Sequence, residues 1–346
     1  MERSKQSMNH IIGNDALKAR LCDDIMNDSL LHAYILEGPA GSGKSTIALM
    51  AAAALSCESK SDSTKPLPCM SCPTCKKILE LKSPDVIFKG TDGKASIGVD
   101  IARFLKEDVH TVPNDLEHKV YIIEDADKMT SQAQNALLLT LEEPPSFVHF
   151  FLLCNNATSL LDTIKSRAPT LRTEPVLEAQ IDEYICNHDT RAAQMKLSSK
   201  REYLELLKAS EGGIGKALEL LEAKNWKPIR DMRGLVNDFI VSAINRKGPT
   251  NIISVTFGFS TKRDVLHQQL ILLLSAVRDL IVLKKSESVN LKFYADTELA
   301  IELCDRTPIS FLYTLQNAII NSIEQNKQNA NVKLLLTKML VTADLI

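Results

Sequence analysis

Residues 38–45 read Gly-Pro-Ala-Gly-Ser-Gly-Lys-Ser, a complete G-x-x-x-x-G-K-[ST] loop, and no other feature of the 346 residues restricts the fold as much. Such a loop works between a strand and a helix, because its glycines allow a tight turn that points successive N–H groups at phosphate oxygens. The apolar Tyr34-Ile35-Leu36 before it reads as a buried strand, and residues 47–55, rich in alanine and large aliphatics, read as the helix. The helix then starts beneath the phosphates, where its dipole favours an anion. Gly38, Gly41 and Gly43 shape the loop, Lys44 reaches the β- and γ-phosphates, and Ser45, followed by Thr46, holds Mg²⁺. A nucleoside triphosphate is the expected ligand. The plain alternative, a glycine-rich turn with a chance lysine, leaves the matching strand and helix unexplained.

The second half of such a site is an apolar strand that ends in acids. Val120-Tyr121-Ile122-Ile123, followed by Glu124-Asp125-Ala126-Asp127, has that form, although a solvated acidic turn after a core strand has it too. In P-loop ATPases the first acid supports Mg²⁺ and the next orients or activates the attacking water. The Asp-Glu order usual in ring-forming ATPases is reversed here to Glu124-Asp125. A carboxylate one methylene shorter at the water-activating position sits roughly an ångström back, a displacement that can cost about a hundredfold. Nucleotide binding is therefore expected, with hydrolysis by this chain weak or absent.

Four cysteines follow the loop. Cys69-x-x-Cys72-x-x-Cys75 sets three thiolates on a short knuckle, and Cys57 supplies a fourth from the end of the preceding helix. All-sulfur tetrahedral Zn²⁺ is closed, so it staples a fold and leaves no position for catalysis. Prolines 66, 68 and 73 suit a loop without secondary structure. Disulfides compete with this reading, but the polar opening, residues 1–7, is no signal peptide. A redox pair matches the spacing less well than a metal does. Cys22, Cys154, Cys186 and Cys304 are scattered and read as buried or idle thiols.

At this length the chain has room for two or three domains. Its 45% hydrophobic content and 41 basic against 43 acidic residues describe a soluble globular protein without a broad basic face, though a local DNA-facing patch is compatible. The apolar run 270–274 is broken by Arg278 and Asp279, short of a membrane span. Up to about residue 173, short strands (85–88, 120–123, 149–153 and one around Leu171) alternate with helical stretches, as in a parallel sheet covered on both faces. Residues 174–224 read as a small helical unit, with periodic segments 178–186 and 201–207 and a helix over 216–222 after Gly212-Gly213. From 225 to 346 the pattern is helical: 229–245, 264–285, 297–304, 311–324 and 332–346. The helix over 264–285 is apolar enough to be buried in a bundle or against other subunits.

These residues resemble bacterial DNA polymerase III clamp-loader subunits, an AAA+ family, and within it the delta-prime type. Ile11-Ile12-Gly13-Asn14 and His32-Ala33-Tyr34-Ile35-Leu36 resemble the family's opening. Pro68-Cys69 through Cys75, then Ser83-Pro84-Asp85-Val86, resemble its zinc module and the strand after it. Asn135-Ala136-Leu137-Leu138-Leu139-Thr140-Leu141-Glu142-Glu143-Pro144-Pro145 is close to the signature N-A-L-L-K-x-L-E-E-P-P, and Asn329-Ala330-Asn331 resembles the start of the last collar helix. The resemblance implies an AAA+ domain over 1–173 with a zinc module at 57–75, a helical lid over 174–224 and an oligomerising collar over 225–346.

It also gives Ser166-Arg167 a role: the family's Ser-Arg-Cys motif offers an arginine finger to nucleotide on the adjacent subunit, and the third residue here is Ala168. Asn155 falls near the family's γ-phosphate sensor, with Asn156 and Cys154 as alternative alignments. Motor subunits carry a phosphate-contacting arginine where this chain has Gly215; Lys216 is adjacent but about 100° round the helix.

Two functional classes compete. A stator would present Arg167 in trans, with gamma/tau and delta subunits as partners in a hetero-pentamer that loads a sliding clamp on primer-template DNA in the cytoplasm, with no membrane involved. A gamma/tau-like motor would hydrolyse ATP itself. The intact loop favours the motor. The reversed acids, Gly215, an opening without the longer leader of gamma and tau, and an end at the collar favour the stator. Another ring ATPase acting on DNA or protein is the third reading. No function follows for the polar loop 58–65.

Overall fold

Four short apolar runs and the segment around Leu171 become the strands of one parallel sheet: β1 (Ala33–Glu37), β2 (Val86–Lys89), β3 (Lys119–Ile123), β4 (Val148–Cys154) and β5 (Thr170–Arg172), in the order β2-β3-β4-β1-β5. The computed structural model describes Met8 and residues 11–62, 64–245, 248–286 and 290–346; the opening segment 1–7 and Ser63 of the 58–65 loop lie outside the described residues. The chain divides into two units, Met1–Ile181 with Gly212–Lys216, and Asp182–Glu211 with Ala217–Ile346.

In the first unit β3 and β4 are buried along their whole length, as a sheet covered on both faces requires. Side chains alternate between the faces. Tyr34, Leu36, Val120, Ile122, Phe151 and Leu153 join one apolar cluster, which also takes Ile47 and the alanines of helix Lys44–Leu55. Ala33, Ile35, Tyr121, Ile123, Phe150 and Leu152 join the other, with Leu137 and Leu141 of helix Ser131–Glu142 and with Ile164 and Ala168. The expected α/β P-loop architecture is therefore the observed one. The ends of β1, β3 and β4 meet at one edge, since Glu37 lies opposite Cys154 and Ile123 opposite Leu152.

Sequence pattern and structure differ at several elements. The knuckle is not devoid of secondary structure: Pro73–Leu79 is a helix, with Pro73 in its first turn and Cys72 capping it by accepting the Cys75 N–H. Proline fits that position because the first N–H of a helix lacks a partner in any case. Helices Asp15–Met26, Val99–Asp108, Thr190–Ser198 and Pro249–Thr256 add to the expected set. The helix expected over 216–222 runs Ile214–Leu220, and the one expected over 332–346 ends at Thr342.

The second unit is all helical. Its core is one apolar cluster drawn from 236–343, through which helix Arg263–Lys285 runs with Leu266, Leu270, Leu273, Val277 and Leu280 fully buried. That helix is long and apolar enough to cross a membrane by length and composition, and half of its apolar window is buried inside this bundle. Helix Ala223–Ile244 starts before Pro228 rather than after it. Buried Trp226, donating from Nε1 to Glu202 at 2.7 Å, holds the first turns and offsets the hydrogen bond that Pro228 cannot make.

Candidate nucleotide site and four-cysteine centre

The loop at 38–45 leaves β1 and enters helix Lys44–Leu55, whose first-turn N–H groups have no intrahelical acceptors and face the loop's concavity. Two glycines are required by their surroundings. A Cβ on Gly38 would stand 1.8 Å from Thr173 Oγ1. Gly41 has φ +76°, and its Cβ would stand 2.6 Å from the Lys216 backbone nitrogen. The loop is pinned from below by the buried hydroxyl pair Ser42–Thr173, 2.8 Å apart.

One cleft is lined by Ala40, Lys44, Ser45, Glu124, Asp125, Asp127, Leu153, Cys154 and Asn155. Lys44, Ser45, Glu124, Asp125 and Asn155, picked out separately in the sequence, are thus brought together; Gly38, Gly41 and Gly43 form the loop above, and Thr46 is exposed on the helix. Lys44 Nζ donates to the Gly38 and Pro39 carbonyls at 2.6 and 2.8 Å and to Asn155 Oδ1 at 3.4 Å. Burial holds this ammonium below the usual lysine range, against the pull of Asp127 and Asp125. Ser45 Oγ donates to Glu124 Oε1 at 2.6 Å, so a hydroxyl and a carboxylate oxygen meet at the helix start, a donor set suited to Mg²⁺.

Asn155, rather than its alternatives, carries its amide to Lys44. Asn156 caps a short turn by accepting the Thr158 N–H, and Cys154 is buried with its thiol pushed up to about 12 by burial. Asp125 lines the cleft, but both of its oxygens are engaged: Thr91 Oγ1 donates to Oδ2 at 3.1 Å and Lys128 Nζ lies 3.2 Å from Oδ1.

Asp127 is a site residue that sequence reading missed. The 3₁₀ turn Ala126–Lys128 folds it back, so that Oδ2 accepts the Asn155 N–H at 3.1 Å and Oδ1 lies buried without a partner. The one available signal was a third acid after β3. Gly215 lies in the first turn of helix Ile214–Leu220, where a Cβ would meet Gly41 at 3.7 Å, ordinary contact distance.

Arg167 does not line the cleft. It follows the short helix Asp162–Lys165, one third exposed, with Nη2 donating to Glu142 Oε1 at 2.5 Å and Nη1 to the Thr163 carbonyl at 2.9 Å.

The sulfurs of Cys57, Cys69, Cys72 and Cys75 lie within 4.8 Å of one another, from the end of helix Lys44–Leu55 and from the knuckle, and all eight cysteines are free thiols. Backbone N–H groups of Cys69, Cys72 and Cys75 donate to the sulfurs of Cys57, Cys69 and Cys72 at 3.3–3.5 Å. Burial works against ionisation of Cys69, yet the Cys72 and Ser71 N–H groups pull its thiol down to about 5. Four converging sulfurs with N–H support fit a structural Zn²⁺. Of the other cysteines, Cys22 and Cys304 are buried, and Cys186 is half-buried and donates to Asp182 at 3.3 Å.

Family models agree with this arrangement. The model described as DNA polymerase III, delta subunit, matches residues 13–176, and the one described as DNA polymerase III, delta subunit, C terminal, matches 237–343, together most of the chain. The chain belongs to the DNA polymerase III delta-subunit family. Among similar curated proteins, the delta' subunit of Bacillus subtilis (strain 168) is 35% identical over 178 residues, 51% of this chain and 52% of the relative. The tau subunit of the same organism is 31% identical over 218 residues, 63% of this chain and 37% of the relative. The matches thus span about half, or less, of these relatives' lengths. Among solved structures, a gamma subunit-related protein of Thermotoga maritima aligns over 94% of this chain and 97% of its own, at 19% identity and a TM-score of 0.43.

Proposed function

We propose that this chain is a delta-prime-type subunit of a replicative clamp loader, acting as a stator that presents Arg167 to nucleotide on a neighbouring ATPase subunit. The observation that supports it is the composition of the cleft. The parts that hold phosphates are complete (the loop, Lys44, Ser45 and Glu124), whereas Asp125 has both oxygens engaged and Gly215 puts no cation over the loop. A site so furnished binds nucleotide better than it hydrolyses it.

On this reading Lys44, Asn155 and the helix start hold the phosphates, and Ser45 with Glu124 holds Mg²⁺, which neutralises phosphate charge when bound. Arg167 on this chain neutralises charge that develops on the neighbour's γ-phosphate, a contribution of roughly 10³–10⁵ in well-studied cases. Residues 174–224 serve as a lid and 225–346 as a collar that joins gamma/tau and delta subunits in a hetero-pentamer. The assembly closes on a sliding clamp and primer-template DNA in the cytoplasm. The four cysteines hold Zn²⁺ and only stabilise the fold. A gamma/tau-like motor is the second reading, favoured by the intact loop.

The test is DNA- and clamp-stimulated ATP turnover by the assembled loader with Lys44→Ala in this subunit alone. Turnover at the parental level is the expected result. A large loss with assembly intact would favour the motor reading instead.

A further inference from the structure

We propose that Glu142 is the positioning residue of Arg167: its carboxylate holds the guanidinium in the pose from which it reaches a neighbour's phosphate. The inference rests on the trans role proposed for Arg167 and assigns the group that makes that role possible.

A partly exposed arginine has several rotatable bonds and samples many rotamers unless it is tied down. Here both terminal nitrogens are tied: Nη2 to Glu142 Oε1 at 2.5 Å, Nη1 to the Thr163 carbonyl at 2.9 Å and to Ser166 Oγ at 3.4 Å. The two anchors come from different helices, Ser131–Glu142 and Asp162–Lys165, so they fix a direction only if those helices are fixed to each other. Gln134 does that. Buried on the first helix, it donates from Nε2 to the Met129 and Ser159 carbonyls at 3.1 and 3.2 Å and accepts the Leu161 N–H at 2.8 Å, just ahead of the second helix.

The location of Glu142 is informative. It is the last residue of its helix, where the free carbonyls make the potential negative and a carboxylate is disfavoured unless a cation faces it. Its side chain is 44% exposed and that of Arg167 33%, so the pair adds little to stability. What it supplies is orientation. The planar guanidinium fork loses little freedom per added bond once it is aligned. A finger aligned beforehand avoids a search at the moment charge develops. The same contact would act in the opposite sense if Glu142 were a latch, neutralising Arg167 and withholding it from the neighbour. The two roles predict changes of opposite sign.

The experiment uses the full loader, assembled with the gamma/tau-type and delta-type subunits of the same organism, and measures DNA-stimulated turnover against ATP concentration. Glu142→Ala should lower kcat about tenfold and leave KM for ATP within about twofold, since a displacement of about 1 Å can cost a hundredfold. Glu142→Gln keeps an oxygen acceptor without the charge and should restore kcat to within about twofold of the parent. Arg167→Ala sets the floor, and melting curves confirm that each variant is folded. A Glu142→Ala enzyme at parental kcat beside a slow Arg167→Ala enzyme overturns the positioning role and leaves the finger. A Glu142→Gln enzyme faster than the parent overturns it in favour of the latch. Parental rates in both alanine variants remove the finger reading and this inference with it.

Discussion

Replacing Gly215 with arginine should raise this chain's preference for ATP over ADP. The structure allows the change. Gly215 lies exposed in the first turn of helix Ile214–Leu220, its φ is not left-handed, and an added Cβ meets Gly41 Cα and O at 3.7 Å without overlap. From that point the side chain extends over the loop that Lys44 already serves. A hydrogen bond to a charged group is worth about 1.5–3 kcal/mol, and ordering a long side chain costs up to ~2 kcal/mol. About 1 kcal/mol is left, roughly a fivefold to tenfold gain in affinity for a nucleotide with a γ-phosphate. ADP lacks that group and should gain little. The assay is titration of the purified chain with fluorescent ATP and ADP analogues. Gly215→Ala is the control, because either substitution relieves a helix glycine and should stabilise the fold by about 0.5–1 kcal/mol. An ATP-to-ADP affinity ratio equal in the arginine and alanine variants, both binding ADP normally, would refute the argument that position 215 faces the γ-phosphate.

Two further outcomes are expected. Cys72→Ser should release about one equivalent of zinc per chain and lower the melting temperature by about 5–10 °C, the effect of losing a few kcal/mol from a domain of this size; full zinc content with unchanged melting would remove the metal assignment. Burial drives His149 down to about 4, its Nδ1 lying 3.1 Å from the Leu31 carbonyl and its Nε2 without a partner. Because the folded value lies below the unfolded value of about 6.5, the unfolded chain binds the proton first as pH falls, so stability drops from about pH 6.5 and levels off below about pH 4. The loss between pH 7.5 and 5 should be about 2 kcal/mol from this residue alone; urea melts of His149→Phe with the same pH dependence as the parent would exclude it.

The sheet and the loop were legible because their signals are local and redundant. Four of the five strands are built on short apolar runs, the fifth offering only Leu171, and the loop's residue types have few other uses in that order. The four cysteines were legible for the same reason: three share one short segment, and Cys57 lies just past the end of the helix that follows the loop. What escaped depends on contacts between distant segments. Asp127 reads as one more surface acid until the turn Ala126–Lys128 sets it against the Asn155 N–H. Glu142 and Arg167 are 25 positions apart, and nothing in either segment announces the other. Helix Ala223–Ile244 crosses Pro228 because Trp226 is anchored to Glu202, a tertiary contact that overrides a local breaker. Helix Pro73–Leu79 was hidden by prolines that read as loop formers, although one of them occupies the position where a helix accepts proline.

The engagement of Asp125 bears on how an intact phosphate loop is compatible with the slow hydrolysis that the stator reading proposes. Holding a nucleotide needs backbone N–H groups, a lysine and a metal ligand, all of which are formed before any water is attacked. Hydrolysis further needs a carboxylate free to take a proton in line with the γ-phosphate. Asp125 has the shorter of the two acidic side chains, and its oxygens are held by the Thr91 hydroxyl and the Lys128 ammonium, so acting as a base would require it to give up both contacts and still reach farther. Each contact is modest, but the losses fall on the transition state alone and leave ground-state binding unaffected. A nucleotide kept in the cleft would then act as a ligand of the native state, stabilising the first unit by about 2.7 kcal/mol at a hundredfold excess over its dissociation constant. Such a ligand would hold β1, β3 and β4 together at the edge where the loop, Glu124 and Asn155 meet.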